Sequence, residues 1–129
     1  GIVAIAAALT GAASVEAVDI DPNAIAAAGL NADLNGVAIA ARCADILDGA
    51  VSDVDLVLIG DVFYDEGVAR RVLPFALACR DAGRDVLIGD PGRTPLPLDA
   101  LRQIAAIPVP DFGDIAGGPT RDSGIYVLK

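Results

Sequence analysis

Val57-Leu58-Ile59-Gly60-Asp61-Val62-Phe63-Tyr64-Asp65 is an apolar run that stops abruptly at a glycine, a carboxylate and a phenol. An unbroken apolar run without alternation reads as a strand covered on both faces, as in the parallel sheet of an α/β domain. In open α/β sheets ligands bind outside the carboxyl ends of the strands, so Gly60, Asp61 and Tyr64 fall where chemistry is expected. The alternative reading is that these polar residues simply begin a loop.

The same five residues recur at Val86-Leu87-Ile88-Gly89-Asp90, which points to a second buried strand meeting similar constraints. Upstream, Ile2, Ile5 and Leu9 have helical spacing closed by Thr10-Gly11, and Ser14 to Ile20 reads as a strand. Asp21-Pro22 supplies an N-cap and a proline for the first turn of a helix running to about Leu34, which Asn35-Gly36 ends. Val37 to Cys43 is a further strand followed by Ala44-Asp45-Ile46. A third helix carries Val68, Val72, Phe75 or Ala76, and Cys79 on its apolar face and ends at Gly83, with Pro74 expected to kink or divide it. Beyond it, Leu98 to Ala105 reads as a short helix and Ile107 to Phe112 as a strand broken by prolines. Gly117-Gly118-Pro119 reads as a turn and Gly124 to Leu128 as a last strand. The alternation predicts an α/β, Rossmann-like, doubly wound and mostly parallel sheet with one antiparallel strand near the C-terminus.

A chain of 129 residues, 54% hydrophobic, is expected to form a single domain over residues 1–129. Its net charge of −9 argues against a surface that tracks nucleic-acid phosphates. The uncharged opening stretch is too short for a membrane span, and no basic leader marks a signal peptide. Cys43 and Cys79 have no metal-ligand spacing and read as reduced, packed thiols of a cytoplasmic protein. The chain contains no histidine, so chemistry within it rests on positioning, carboxylates or a cofactor.

Asp19, Asp45, Asp61 and Asp90 each end a strand and are expected along one edge. An acidic residue about twenty positions beyond a glycine loop can accept from both ribose hydroxyls of a nucleotide, and Asp19 fits that spacing counted from Gly1. A solvated strand end, or a cap for the helix at Pro22, is the alternative for Asp19, although Asp21 is better placed for the cap. Asp61 and Asp65 together suggest a divalent metal only weakly, and a cap and a pocket wall suit them better. No metal is expected.

Gly1-Ile2-Val3-Ala4, Ala17-Val18-Asp19-Ile20-Asp21-Pro22-Asn23-Ala24, Ala44-Asp45 and Gly60-Asp61-Val62-Phe63-Tyr64-Asp65 together resemble the seven-strand, class I S-adenosylmethionine-dependent methyltransferases. The similarity is greatest to the lysine methyltransferases of the electron transfer flavoprotein beta subunit, with ribosomal-protein methyltransferases and predicted nicotinamide N-methyltransferases as relatives. An Asp-x-x-Tyr motif follows the fourth strand in this group, and Asp61 to Tyr64 matches it. Ile88-Gly89-Asp90-Pro91-Gly92-Arg93 resembles the segment after the fifth strand. The resemblance implies that the first strand and most of its glycine loop lie ahead of Gly1. It further implies S-adenosylmethionine as cofactor, bound by Gly1, Asp19 on the ribose, Ile20 on the adenine, Asp45 on the adenine amino group with Ile46 beside it, and Gly60 at the methionine part. Asp61 and Tyr64 would form the catalytic, acceptor-facing side. The acceptor so implied is a protein lysine, of the flavoprotein subunit or a ribosomal protein, with no nucleic acid or membrane partner. A nicotinamide-dependent oxidoreductase and an inert binding domain are the alternatives.

Overall fold

The computed structural model describes residues 1–50, 53–110 and 120–129. They fall into two compact units, Gly1–Ala50 and Val51–Lys129.

In the first unit, α1 (Ile2–Leu9), β1 (Glu16–Asp19), α2 (Pro22–Leu34) and β2 (Ala40–Cys43) follow one another, and β1 and β2 pair in parallel. The cap at Asp21 is where the sequence puts it: its carboxylate accepts from the Asn23 amide at 2.8 Å, with Pro22 at the first helical position. Gly11 and Gly36 end the two helices at positive φ, which glycine enters without a Cβ clash. Helix α1 crosses α2 so closely that a Cβ on Gly1 would lie 2.7 Å from the Ala28 Cβ and 2.9 Å from its Cα. Of the expected apolar stripe on α1 only Ile5 is buried, whereas Ile2 and Leu9 are exposed. Both strands are shorter than their sequence patterns. Across them Arg42 reaches Glu16 at 2.7 Å and lowers the glutamate's pKa.

In the second unit, β3 (Leu56–Gly60), α3 (Glu66–Asp81), β4 (Asp85–Asp90), a 3-10 turn (Leu98–Ala100), β5 (Leu101–Pro110) and β6 (Thr120–Leu128) form a four-stranded sheet of order β3-β4-β6-β5. β3 and β4 are parallel, and β6 runs antiparallel to both of its neighbours. The single reversed strand near the C-terminus is therefore present. Helix α3 packs on β4 and β6, burying Val72, Phe75, Ala76 and Cys79. Burial pushes the Cys79 thiol pKa up, an effect that Arg84 partly opposes.

Three sequence expectations change here. Leu98 to Ala105 is a single 3-10 turn that passes into β5, so Leu101 onward is strand. β5 lies at the sheet edge, where Pro108 can forgo a ladder hydrogen bond. Pro74 does not divide α3: both Pro74 and Arg70, whose carbonyl loses its partner, are exposed, so water can satisfy that group. β3 is not covered on both faces in its unit, since Ile59 is buried while Leu56 and Leu58 are exposed. The expected turn at Gly117-Gly118-Pro119 and the end of the expected strand at Phe112 lie outside the described residues.

Phe63, immediately past β3, has no exposed surface and fastens the turn that follows Asp61 to the core. Truncating a fully buried phenylalanine removes its transfer energy and leaves a cavity, so Phe63→Ala is expected to cost about 3–5 kcal/mol, measured by denaturant unfolding of the full-length protein.

Candidate functional site

The parallel register of the first unit sets Asp19 opposite Cys43, so Asp19-Ile20 and Ala44-Asp45 leave the sheet at the same edge. The Ala44 amide donates to the Asp19 carbonyl at 3.0 Å, continuing the ladder one step past the strands. The Asp19 carboxylate accepts from the Asp21 amide at 2.9 Å through Oδ1, which orients it beside the cap of α2. Ile20 next to it is 68% exposed. Asp45 accepts from the Leu47 amide at 3.1 Å, and Ile46 is half-buried. The Cys43 thiol donates to the Ile20 carbonyl at 3.5 Å. Cys43 is thus a free, exposed thiol rather than a packed one; only Cys79 is buried.

A carboxylate, an exposed apolar side chain and a second carboxylate at one edge suit a nucleoside, which needs acceptors for its hydroxyl and amino groups and an apolar platform for its base. The residues present therefore fit the adenosine part of S-adenosylmethionine.

In the second unit, Gly60 pairs with Gly89 and the Asp61 amide donates to the Gly89 carbonyl at 2.9 Å, which sets the ends of β3 and β4 side by side. Asp61 then turns into the left-handed region at φ +48°, which aspartate enters more readily than most residues. Its carboxylate meets the Arg93 guanidinium in a two-pronged contact, Nε on Oδ1 and an Nη on Oδ2 at 2.8 Å. The hydrogen bonds from Arg93 hold the Asp61 carboxyl below the usual carboxylate range despite partial burial.

Asp90 ends β4 as expected, but its side chain is fully buried and turned back into the chain. Its Oδ1 accepts from the Gly92 amide at 2.8 Å and the Arg93 amide at 2.7 Å, while its Oδ2 is buried without a hydrogen-bond partner among the described residues. Tyr64 is 60% exposed between buried Phe63 and Asp65, whose carboxylate caps α3 through the Val68 amide at 3.0 Å. Asp65 is therefore a cap, and Asp61 is committed to Arg93 rather than to the turn after it. No group of three or more metal-ligating side chains occurs among the described residues. None of their helices is long and apolar enough to cross a membrane.

The structure thus brings Asp19, Ile20 and Asp45 together in one unit, and Gly60, Asp61 and the segment Asp90 to Arg93 together in the other. Arg93 is the residue whose role the sequence did not disclose. Its only signal was the likeness of the segment around it, because no local pattern announces an ion pair across 32 positions.

Comparison with known proteins identifies methyltransferases as relatives. Residues 1–60 match the family model of the ribosomal protein L11 methyltransferase (PrmA). The chain is 45% identical over 95 residues to the electron transfer flavoprotein beta subunit lysine methyltransferase of Danio rerio, a match covering 72% of the chain and 37% of that protein. It is 42% identical over 95 residues to the Homo sapiens protein of the same name, covering 72% of the chain and 36% of that protein. A ribosomal protein L11 methyltransferase of Symbiobacterium thermophilum is 43% identical over 79 residues, covering 57% of the chain and 26% of that protein. Among solved structures, the Bacillus subtilis M1A22 tRNA methyltransferase TrmK superposes with a TM-score of 0.57 at 14% identity, over 98% of this chain and 55% of that one. The N-methyltransferase NodS of Bradyrhizobium japonicum superposes with a TM-score of 0.55 at 14% identity, over 89% of this chain and 73% of that one.

The fold resembles that of the two solved methyltransferases. The sequence is similar to the flavoprotein beta subunit lysine methyltransferases and the ribosomal protein L11 methyltransferases, and the chain spans a little over a third of the length of the former.

The Asp61–Arg93 pair carries a pH signature. A carboxylate whose pKa is depressed on folding adds stability above its unfolded pKa and loses it as pH falls through the folded value. Because the pair is partly exposed and screened by solvent, Arg93→Ala is expected to lower stability only slightly at pH 7. That difference should vanish in acid, below the usual carboxylate range, when denaturant midpoints of the two proteins are compared across pH.

Proposed function

We propose that the protein of which this chain is part is an S-adenosylmethionine-dependent methyltransferase acting on a lysine side chain of a folded protein. The observation that carries the reading is the shared edge of β1 and β2, where Asp19, exposed Ile20 and Asp45 stand together. Asp19 accepts from the ribose hydroxyls, Ile20 packs on the adenine, and Asp45 accepts from the adenine amino group with Ile46 beside it. Gly1 belongs to the loop near the cofactor and Gly60 to the border of its methionine part. Asp61 and Tyr64 face the acceptor. The 129 residues belong to one methyltransferase domain, and a first strand from the rest of the protein completes its sheet. In support, β1 and β3 each have only one strand partner among the described residues.

When bound, the cofactor supplies a methyl group already activated by its sulfonium leaving group. What the chain supplies is proximity and alignment, for which no histidine is needed. Asp61 and Tyr64 draw the lysine in, the carboxylate by charge and the ring by a cation–π attraction of about 0.5–2 kcal/mol. The amine sheds its proton to water before attack. Protein lysine is the first choice of acceptor, another protein amine the second and a small amine such as nicotinamide the third. The flavoprotein subunit and ribosomal protein L11, named by the relatives, are the first acceptors to try. A cytoplasmic setting accords with the two free thiols.

Calorimetry on the full-length protein tests the cofactor side. A carboxylate holding two hydroxyls makes charge-assisted bonds of about 1.5–3 kcal/mol each, so Asp19→Ala should weaken S-adenosylmethionine binding at least about tenfold. Asp45→Asn keeps an acceptor and should lose less. Unchanged affinity in folded Asp19→Ala would remove Asp19 from the site.

Labelled cofactor tests the acceptor side. The label should appear on a protein lysine, Asp61→Ala should abolish transfer, and Tyr64→Phe, which keeps the ring, should be milder than Tyr64→Ala. Label confined to small molecules would overturn the choice of acceptor.

A further inference from the structure

We propose that Arg93 is a positioning residue for methyl transfer, clamping the Asp61 carboxylate in place and offsetting its charge so that an incoming lysine is oriented without being held as an ammonium. The inference rests on the reading of Asp61 as acceptor-facing.

Three contacts make the clamp. Asp90, fully buried at the end of β4, accepts from the Gly92 and Arg93 amides and so fixes the backbone from which Arg93 extends. Gly92 allows that turn by adopting φ +84°. Arg93 then engages both oxygens of Asp61, whose amide is tied to the Gly89 carbonyl one residue before Asp90. A fork bound to both oxygens fixes the plane of the carboxylate, which a single contact does not.

The chemical consequence follows from lone-pair inventory and charge. Each carboxylate oxygen has two acceptor positions, so occupation of one on each by Arg93 leaves others for an amine N–H. The side chain of Asp61 is 53% exposed, so those positions are open to an acceptor. An isolated carboxylate would favour the charged ammonium, which cannot attack the methyl group. Paired with a guanidinium, the same carboxylate still accepts a hydrogen bond while its pull on the proton is reduced. The charged groups of the two adjoining turns are Arg93 and Asp90 after β4, and Asp61 and Asp65 after β3. Asp90 is buried, and Asp65 is engaged with the amide of Val68.

The test uses the full-length protein, S-adenosylmethionine, and the purified flavoprotein beta subunit and ribosomal protein L11 as acceptor probes. Arg93→Ala should lower kcat at saturating cofactor by about tenfold or more while cofactor affinity by calorimetry stays within about twofold, because alignment and not cofactor contact is lost. The rising limb of its pH–rate profile should move to higher pH, since the unpaired carboxylate now stabilises the ammonium. Arg93→Lys keeps the charge without the fork and should fall between, with its pH profile near that of the unmodified enzyme. In an Asp61→Asn background with residual transfer, Arg93→Ala should add little, as expected of two residues acting as one unit.

A normal rate and pH profile in Arg93→Ala, with Asp61→Ala inactive, would overturn the role of Arg93 and leave that of Asp61 standing. So would a loss confined to cofactor affinity. Normal transfer by Asp61→Ala, or no transfer to either probe by the unmodified enzyme, would instead overturn the underlying reading. Should Arg93→Ala fail to fold, Arg93→Lys decides: a kcat equal to that of the unmodified enzyme overturns the clamp.

Discussion

The parallel pairing of β3 with β4, in the register that sets Gly60 opposite Gly89, is the constraint on which the second unit depends. A slip of one residue would exchange the buried and exposed faces of a strand. It would also part the Asp61 amide from the Gly89 carbonyl, and with it the carboxylate from Arg93. The register is held from the other side as well. β6 sets Gly124 opposite Asp90, and the ring of buried Tyr126 lies where a Cβ on Gly124 would stand, 2.3 Å from the hydroxyl oxygen. Only a residue without a side chain lets that ring close over the sheet beside the strand end.

Much of this was readable in the sequence because the signals were local. Asp21-Pro22, Asn35-Gly36 and Gly83 announce helix ends through backbone chemistry that tertiary contacts seldom override, and each stands where expected. The two Val-Leu-Ile-Gly-Asp runs are neighbouring parallel strands, as their likeness suggested. Leu101 to Ala105 reads as helix, and is strand, because short apolar runs with alanines fit a helix and a strand about equally, whereas the strand expected from Ile107 is present up to Pro110. What decided the matter was the edge position beside β6, a long-range pairing that also makes room for the prolines. Ile2, Leu9, Leu56 and Leu58 show the converse: apolar spacing in the sequence does not tell what covers a side chain, and within their units these four are exposed.

The candidate site was legible as positions and not as partners. Four aspartates at strand ends were visible in one dimension, yet they play different parts. Asp19 and Asp45 accept from backbone amides at an exposed edge. Asp90 is withdrawn into the core to shape a turn, and Asp61 is held by a guanidinium. An acidic chain with 9 basic residues against 18 acidic ones thus commits one of its few arginines to a single strand-end carboxylate.

The central claim is that the strand ends bearing Asp19 and Asp45 receive the adenosine of S-adenosylmethionine. A crystal structure of the full-length protein with S-adenosylhomocysteine tests it most directly. The account predicts the Asp19 carboxylate within hydrogen-bonding distance of both ribose hydroxyls, Ile20 against the adenine ring and Asp45 at its amino group. A nucleoside bound elsewhere, with Asp19 still facing solvent, would contradict it.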